Sequence, residues 1–282
     1  VFLACMVSSV NRLSEGRFAL GLGKGIHLMQ KMIGLPKVTF AHEAEYIVVL
    51  RRLLSGETIN GYSGLIGEYP RLAMMSHGVK EDVPFLFVGF GPKSLRNAGR
   101  VYDGAHLHTF MAPSAVERAV GLVREGEGDA GRAVGNARVW TVLATICNAS
   151  QETYLKDVVA RLASYLQVPQ YGNGLATING WDLEEVKRFR EHPTVTSVGG
   201  VIDSTATMSQ LEQIEKILPE DWRSAAIGTP AECARRWVED FEAGADGVII
   251  HGCTPEQFEP VLAEYEKIRP SHLFEGRTNR PA

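Results

Sequence analysis

Apolar and polar positions along this chain follow two alternating rhythms. Short apolar runs, "RFALGLG" (17–23), "PFLFVGF" (84–90), "DGAHLHTF" (103–110), "ARVWTVLATIC" (137–147) and "GVIIHG" (247–252), have the length and continuity of strands covered on both faces. Between them the apolar residues recur every three or four positions. Phe40, Ala44, Ile47, Leu50 and Leu54 mark one helix, which Gly56 can close. "GPKSLRNAG" predicts a short helix, and others are predicted over 113–125, 182–191 and 207–218, with Ser150 as the cap of one more. Two helices announce their starts fully: Thr229-Pro230-Ala231-Glu232 and Thr254-Pro255-Glu256-Gln257 each place a capping hydroxyl, a first-turn proline and a reciprocal acceptor. "ETINGYSGLIGEYPRLAMM" reads as a hairpin-like excursion. Residues 169–225 read as an irregular insertion before the last strand, with "QYGNGLATINGW" as its loop-rich centre.

Strands that alternate with helices predict an α/β fold with a parallel sheet and helices outside it. Five visible units fit either an open doubly wound sheet or a TIM-type (β/α)8 barrel whose first three units are missing. The chain opens on "VFLACMVSSVNRL", which reads as the end of a helix in a chain whose beginning is absent, and this favours the barrel. The expected organisation is one barrel domain over 1–270 with the 169–225 insertion, followed by a polar tail, 271–282.

Composition narrows the partners. Of the 282 residues, 45% are apolar and 22% charged, and the net charge of −4 leaves no broad basic surface for nucleic acid. The opening apolar run is too short for a bilayer, which takes about 20 residues. Cys5, Cys147, Cys233 and Cys253 are far apart in sequence and form no CxxC pair, which suits buried thiols in a reducing cytoplasm.

In both architectures ligands bind at the carboxyl ends of the strands. After the first strand comes Gly21-Leu22-Gly23-Lys24-Gly25, too tight for a dinucleotide fingerprint and without the hydroxyl a Walker loop needs. After the second, Gly91 can cap a helix that starts at Pro92. The free amides of Lys93 and Ser94, the ammonium and the hydroxyl would then suit a phosphate. The bland alternative is a well-capped helix. His106-Leu107-His108 places two imidazoles on one strand face, a spacing known from metal sites. The remaining strand ends offer no matched ligands, so ordinary pocket or core histidines are the stronger reading and no metal site is expected. His27 and His251 are expected to line a pocket. Ser14-Glu15, Glu43/Glu45 and Glu184/Glu185 read as solvated or capping groups. Phosphate-binding potential without an evident protein nucleophile points to a cofactor that carries the chemistry.

"NRLSEGRFALGLGKG", "FLFVGFGPKSLRNAGRVYDGAHL" and "GTPAECARRWVEDFEAGADGVIIHG", in that order, resemble the bacterial luciferase-like superfamily, and within it the coenzyme F420-dependent oxidoreductases. The resemblance covers nearly the whole chain and is weakest over 169–225. It implies a TIM-type barrel, usually a homodimer, with the flavin or deazaflavin across the carboxyl ends of the strands. It places Lys24 and Gly25 beside the cofactor, with Gly23 and Gly25 admitting it to the backbone. Phe90, Gly91, Lys93 and Ser94 match the loop at its phosphate end, and His108 matches a substrate-side position. Some relatives carry a catalytic Glu where this chain has Ile26, and an Asn against the cofactor where it has Met29, which leaves Met29 on the substrate side and the catalytic acid unassigned. The resemblance thus implies a cytoplasmic oxidoreductase passing a hydride between F420 and a small organic molecule. The alternatives are an FMN-dependent monooxygenase, a metal-dependent hydrolase using His106 and His108, and a non-catalytic cofactor-binding relative.

Overall fold

Eight strands and a surrounding set of helices build the chain in the computed structural model, which describes residues 1–25, 27–75, 78–79 and 82–275, with His27, Leu28 and Met29 as backbone only. Strands β1 (Leu20–Leu22), β4 (Phe85–Val88), β5 (Gly104–His106), β6 (Arg138–Cys147) and β8 (Gly247–His251) form a parallel sheet in that spatial order. β2 (Ile59–Gly64) and β3 (Gly67–Leu72) make the expected antiparallel hairpin, and the three-residue β7 (Ala226–Gly228) pairs with the end of β6. Among the described residues β1 and β8 each pair on one side only.

The helices are α1 (Phe2–Leu13), α2 (His27–Met32), α3 (Phe40–Leu54), α4 (Pro92–Val101) and α5 (Pro113–Asp129), then a helical insertion, then α13 (Pro230–Glu242) and α14 (Pro255–Ile268). After β6 come α6 (Gln151–Tyr154), a π-helical stretch (Leu155–Ala160) and α7 (Arg161–Gln167), and the insertion expected over 169–225 holds α8 (Pro169–Asn179), α9 (Leu183–Glu191), α10 (Pro193–Thr196), α11 (Ile202–Thr205) and α12 (Met208–Ile217). Both threonine signatures close as capping boxes: Thr229 with Glu232 on α13, and Thr254 with Gln257 on α14.

Register explains which side chains reach the functional end. Because neighbours alternate faces, Val88, His106, Trp140 and Gly247 form one row across the inner face. Phe85, Phe87, Ala105 and Val139 face the helices and are buried. Two Asp-Gly pairs fix this register at the strand entrances. Asp103 accepts the Phe85 amide at 2.7 Å, and Asp246 accepts the Val139 amide at 2.8 Å. A Cβ on the following glycines would overlap the Arg138 carbonyl at Gly104 and the Trp140 ring at Gly247.

Several expectations are refined by the structure. The first strand is Leu20–Leu22 rather than 17–23, and the third ends at His106, so His108 lies beyond it. The segment expected to be a loop-rich centre begins with a helix, α8, because its glycines serve packing. A Cβ on Gly172 would press on Leu166, and one on Gly174 would lie 3.0 Å from the Phe90 ring. The cysteines, far apart in sequence, meet in part: Cys147, Cys233 and Cys253 face one another, and burial pushes all three thiols up, Cys233 to about 12. They are protonated thiols at neutral pH.

Candidate functional site

The loop that leaves β4 turns at once into α4. Gly91 is the N-cap with extended backbone and Pro92 opens the first turn, as the sequence required. The Ser94 amide is not free as expected: it donates to the Gly91 carbonyl at 2.9 Å, as does the Leu95 amide. The side chains remain available. Among the described residues neither the Lys93 ammonium nor the Ser94 hydroxyl has a hydrogen-bond or ion-pair partner, and a Cβ on Gly91 would meet only the Ser94 hydroxyl, at 3.7 Å. An exposed cation and a half-buried hydroxyl therefore lie in the first turn at the positive end of the helix.

Beside this loop the structure assembles an aromatic wall. The Phe90 ring lies 4.7 Å from the His108 ring and 5.2 Å from Tyr171, while His108 also meets Tyr165 at 4.6 Å and Tyr171 at 5.1 Å. Phe90 and His108 were expected at the site. Tyr165 and Tyr171 were missed because they come from α7 and α8, where the sequence offers no motif. Burial drives the His108 imidazole down to about 4, so it is neutral at physiological pH. Its Nδ1 lies 3.0 Å from the Thr109 carbonyl, which can only accept. The proton therefore sits on Nδ1, and Nε2 presents a lone pair. Thr109 also ties in His251, whose Nε2 is 2.8 Å from the Thr109 hydroxyl and whose pKa burial likewise lowers.

The next residue, Phe110, is held at a φ of 60°, a conformation bulky residues rarely adopt. Asn179, at the end of α8, over-determines it. Its amide nitrogen donates to the Phe110 carbonyl at 3.1 Å, and its oxygen accepts from the Ala112 amide at 2.9 Å. The insertion thus fixes the loop that carries His108. His106 sits on the inner face with a buried Nδ1 that has no hydrogen-bond partner among the described residues, and burial lowers its pKa. Neither it nor His108 belongs to a group of three metal-competent side chains among the described residues.

The other half of the expected site goes elsewhere. Gly23 is needed by the neighbouring strand, since a Cβ there would lie 3.1 Å from the Val88 carbonyl, and Gly25 takes a φ of 72° in the turn. Lys24 turns away from the Phe90 loop: its Nζ stands 3.7 Å over the Phe40 ring, and its carbonyl accepts from the Gln30 side chain. There it approaches Glu43, which is 7% exposed and not the solvated group expected. Glu45 is structural, accepting from the Tyr62 hydroxyl and the Leu65 amide of the hairpin. The side chains of His27 and Met29, and Ile26 entirely, lie outside the described residues.

Residues 1–247 match the family model described as luciferase-like monooxygenase. Among curated proteins, a 131-residue segment is 30% identical to a 5,10-methylenetetrahydromethanopterin reductase of Methanolobus tindarius, covering 46% of this chain and 39% of that protein. A 137-residue segment is 29% identical to an F420-dependent glucose-6-phosphate dehydrogenase of Nakamurella multipartita, with the same coverages. The matches thus span well under half of either relative. The coenzyme F420-dependent tetrahydromethanopterin reductase of Methanopyrus kandleri superposes with a TM-score of 0.71 at 18% identity, over 94% of this chain and 76% of that one. An FMN complex of the 3,6-diketocamphane monooxygenase of Pseudomonas putida gives 0.58 at 17%, over 98% and 74%. Both have the α/β fold described above.

Proposed function

Because the chain belongs to the luciferase-like monooxygenase family, we propose that it is an oxidoreductase moving a hydride between coenzyme F420 and a small organic substrate. The observation that carries this reading is the junction of the Phe90–Ser94 loop with the His108 wall. An anion-ready helix start lies against a water-poor aromatic surface, at the end of the sheet where ligands of such folds bind. These residues fit a planar ring with an anionic tail. Lys93 and Ser94 would hold the phosphate, and the inner-face apolar side chains Val88 and Ile249, 41% and 38% exposed, would lie against the ring. The F420-dependent dehydrogenase relative favours the deazaflavin.

When bound, the cofactor supplies or accepts the hydride. The chain's own residues do the rest. Phe90, Tyr165 and Tyr171 exclude water from His108. The Thr109 carbonyl holds the imidazole proton on Nδ1 and so leaves Nε2 as a neutral hydrogen-bond acceptor. His251 and Asn179 hold that loop in place from either side. The family model's description favours a second reading, an FMN-dependent monooxygenase of the same site.

A titration of the purified chain against F420, followed by quenching of the cofactor's own fluorescence, separates the two. Saturable quenching with weaker FMN binding is expected. FMN binding without F420 binding, with oxygen consumption when reduced FMN is supplied, would replace the first reading by the second.

A further inference from the structure

We propose that the cleft between the start of α7, α11 and the end of β8 receives the polar end of the substrate, and that this end is a zwitterion, one carboxylate beside one ammonium, as in an α-amino acid. The inference names a substrate class for the oxidoreductase reading above. It rests on that reading for the cleft's catalytic role, though not for binding. The cleft holds about 640 Å³, within the range of small-molecule sites. It adjoins the His108 wall. His251 lines it and meets the Thr109 hydroxyl, and Tyr165, one turn after Arg161 on α7, packs on the His108 ring. None of Phe90, Lys93 and Ser94 lines it, so it is separate from the loop assigned to the phosphate.

Two opposite charges in the cleft lack close partners. Arg161 is half-exposed and makes no hydrogen bond among the described residues. Its one ion-pair contact there is Asp203 Oδ2 at 3.8 Å, beyond hydrogen-bond reach, while Asp203 Oδ1 accepts from the Ser204 hydroxyl at 3.0 Å. Asp157 is half-buried and makes neither a hydrogen bond nor an ion pair among the described residues. Burial raises its pKa, and Arg161 and Lys156 only partly offset that. Residues four apart share a helical face, yet Arg161 and Asp157 do not close on each other. The other cation of the cleft, Lys156, is already held by Glu152 at 2.6 Å. The stretch that carries Asp157 is π-helical, a rare form that collects at functional sites.

The separated pair selects the ligand. Arg161 offers parallel donors that suit a carboxylate, and Asp157 offers an acceptor that suits an ammonium. A carboxylate alone would add a third negative charge beside Asp157 and Asp203. An amine alone would leave Arg161 facing a second cation. A zwitterion gives each charge its opposite. Ala206, Met208 and Leu211 line the remaining wall, which suits an aliphatic side chain.

The test uses the full chain and four probes that share one branched aliphatic body. They are L-leucine, 4-methylpentanoate without the ammonium, 3-methylbutylamine without the carboxylate, and 2-hydroxy-4-methylpentanoate with a neutral donor. Ligand-observed nuclear magnetic resonance is expected to show saturable leucine binding and about tenfold weaker binding of each other probe, one charge-assisted contact being worth that much. Arg161→Gln should bring leucine down to the level of the amine, and Asp157→Ala should bring it down to the level of 4-methylpentanoate. Circular dichroism checks that each variant folds, and Arg161→Lys, which keeps the charge, should retain the preference for leucine over the amine. Absent leucine binding, equal affinity for leucine and any other probe, a preference untouched by both Arg161→Gln and Asp157→Ala, or loss of leucine binding in saturating F420 would each overturn the proposal. Leucine binding by a chain that fails to bind F420 would support the zwitterion site and refute the cofactor assignment alone.

Discussion

Protonation of His108 should be the sharpest internal reporter of this structure. The imidazole falls from an ordinary 6.5 to about 4 because it is enclosed by Phe90, Tyr165 and Tyr171, and Arg161, His106 and His251 add like-charge pressure. The unfolded chain takes up a proton here as pH drops through the ordinary value, while the folded chain resists until about pH 4. The stability that His108 lends as a neutral group is therefore fully present at neutral pH and is lost on acidification across that window. A fall of this size corresponds to about 3 kcal/mol. Nuclear magnetic resonance of histidine-labelled protein, with His108→Gln to assign the signal, gives the titration midpoint and the tautomer together. A midpoint near 4 with the proton on Nδ1 is expected. Urea unfolding should show the wild type losing about 3 kcal/mol more than His108→Gln between neutral pH and about pH 4. A midpoint near the ordinary value, or parallel stability curves, would mean that the aromatic wall does not close over the ring.

Other perturbations read other parts of the argument. Lys93→Ala should weaken F420 binding about tenfold by removing a charge-assisted contact, with the thermal midpoint unchanged. Gly99→Ala drives a methyl into the Val123 carbonyl where α4 crosses α5, and should cost about 3 kcal/mol, read as a lowered unfolding midpoint. Thr229→Ala removes the capping box of α13 and should cost about 1 kcal/mol in the same measurement.

What the sequence disclosed followed from how local its physics is. The capping boxes at Thr229 and Thr254, the Gly91-Pro92 helix start and the hairpin are short-range chemistry, and each lies where expected. The β7 strand was invisible because three residues carry no period. α8 was hidden because Gly172 and Gly174 look like turn residues until Leu166 and Phe90 are seen against them. The Tyr165–Tyr171 wall depends on an insertion folding back over the sheet, which periodicity cannot report. Glu43 was a different kind of miss, because its signal was present. It stands three residues after Phe40 and four before Ile47, on the stripe that had already been assigned to the core. A charge on a buried stripe is a question about its partner, and here the Tyr102 hydroxyl donates to it while Lys24, a residue otherwise assigned to the cofactor, favours its charge from nearby.

Hydrogen–deuterium exchange of the full chain with and without saturating F420 maps the cofactor most directly. Slowed exchange is expected in the amides of 89–95 and 106–110, around Phe90 and His108, with little change along α3. Protection confined to α3 and the loop around Lys24, or no protection at either strand end, would contradict the assignment of the cofactor to the Phe90–His108 junction.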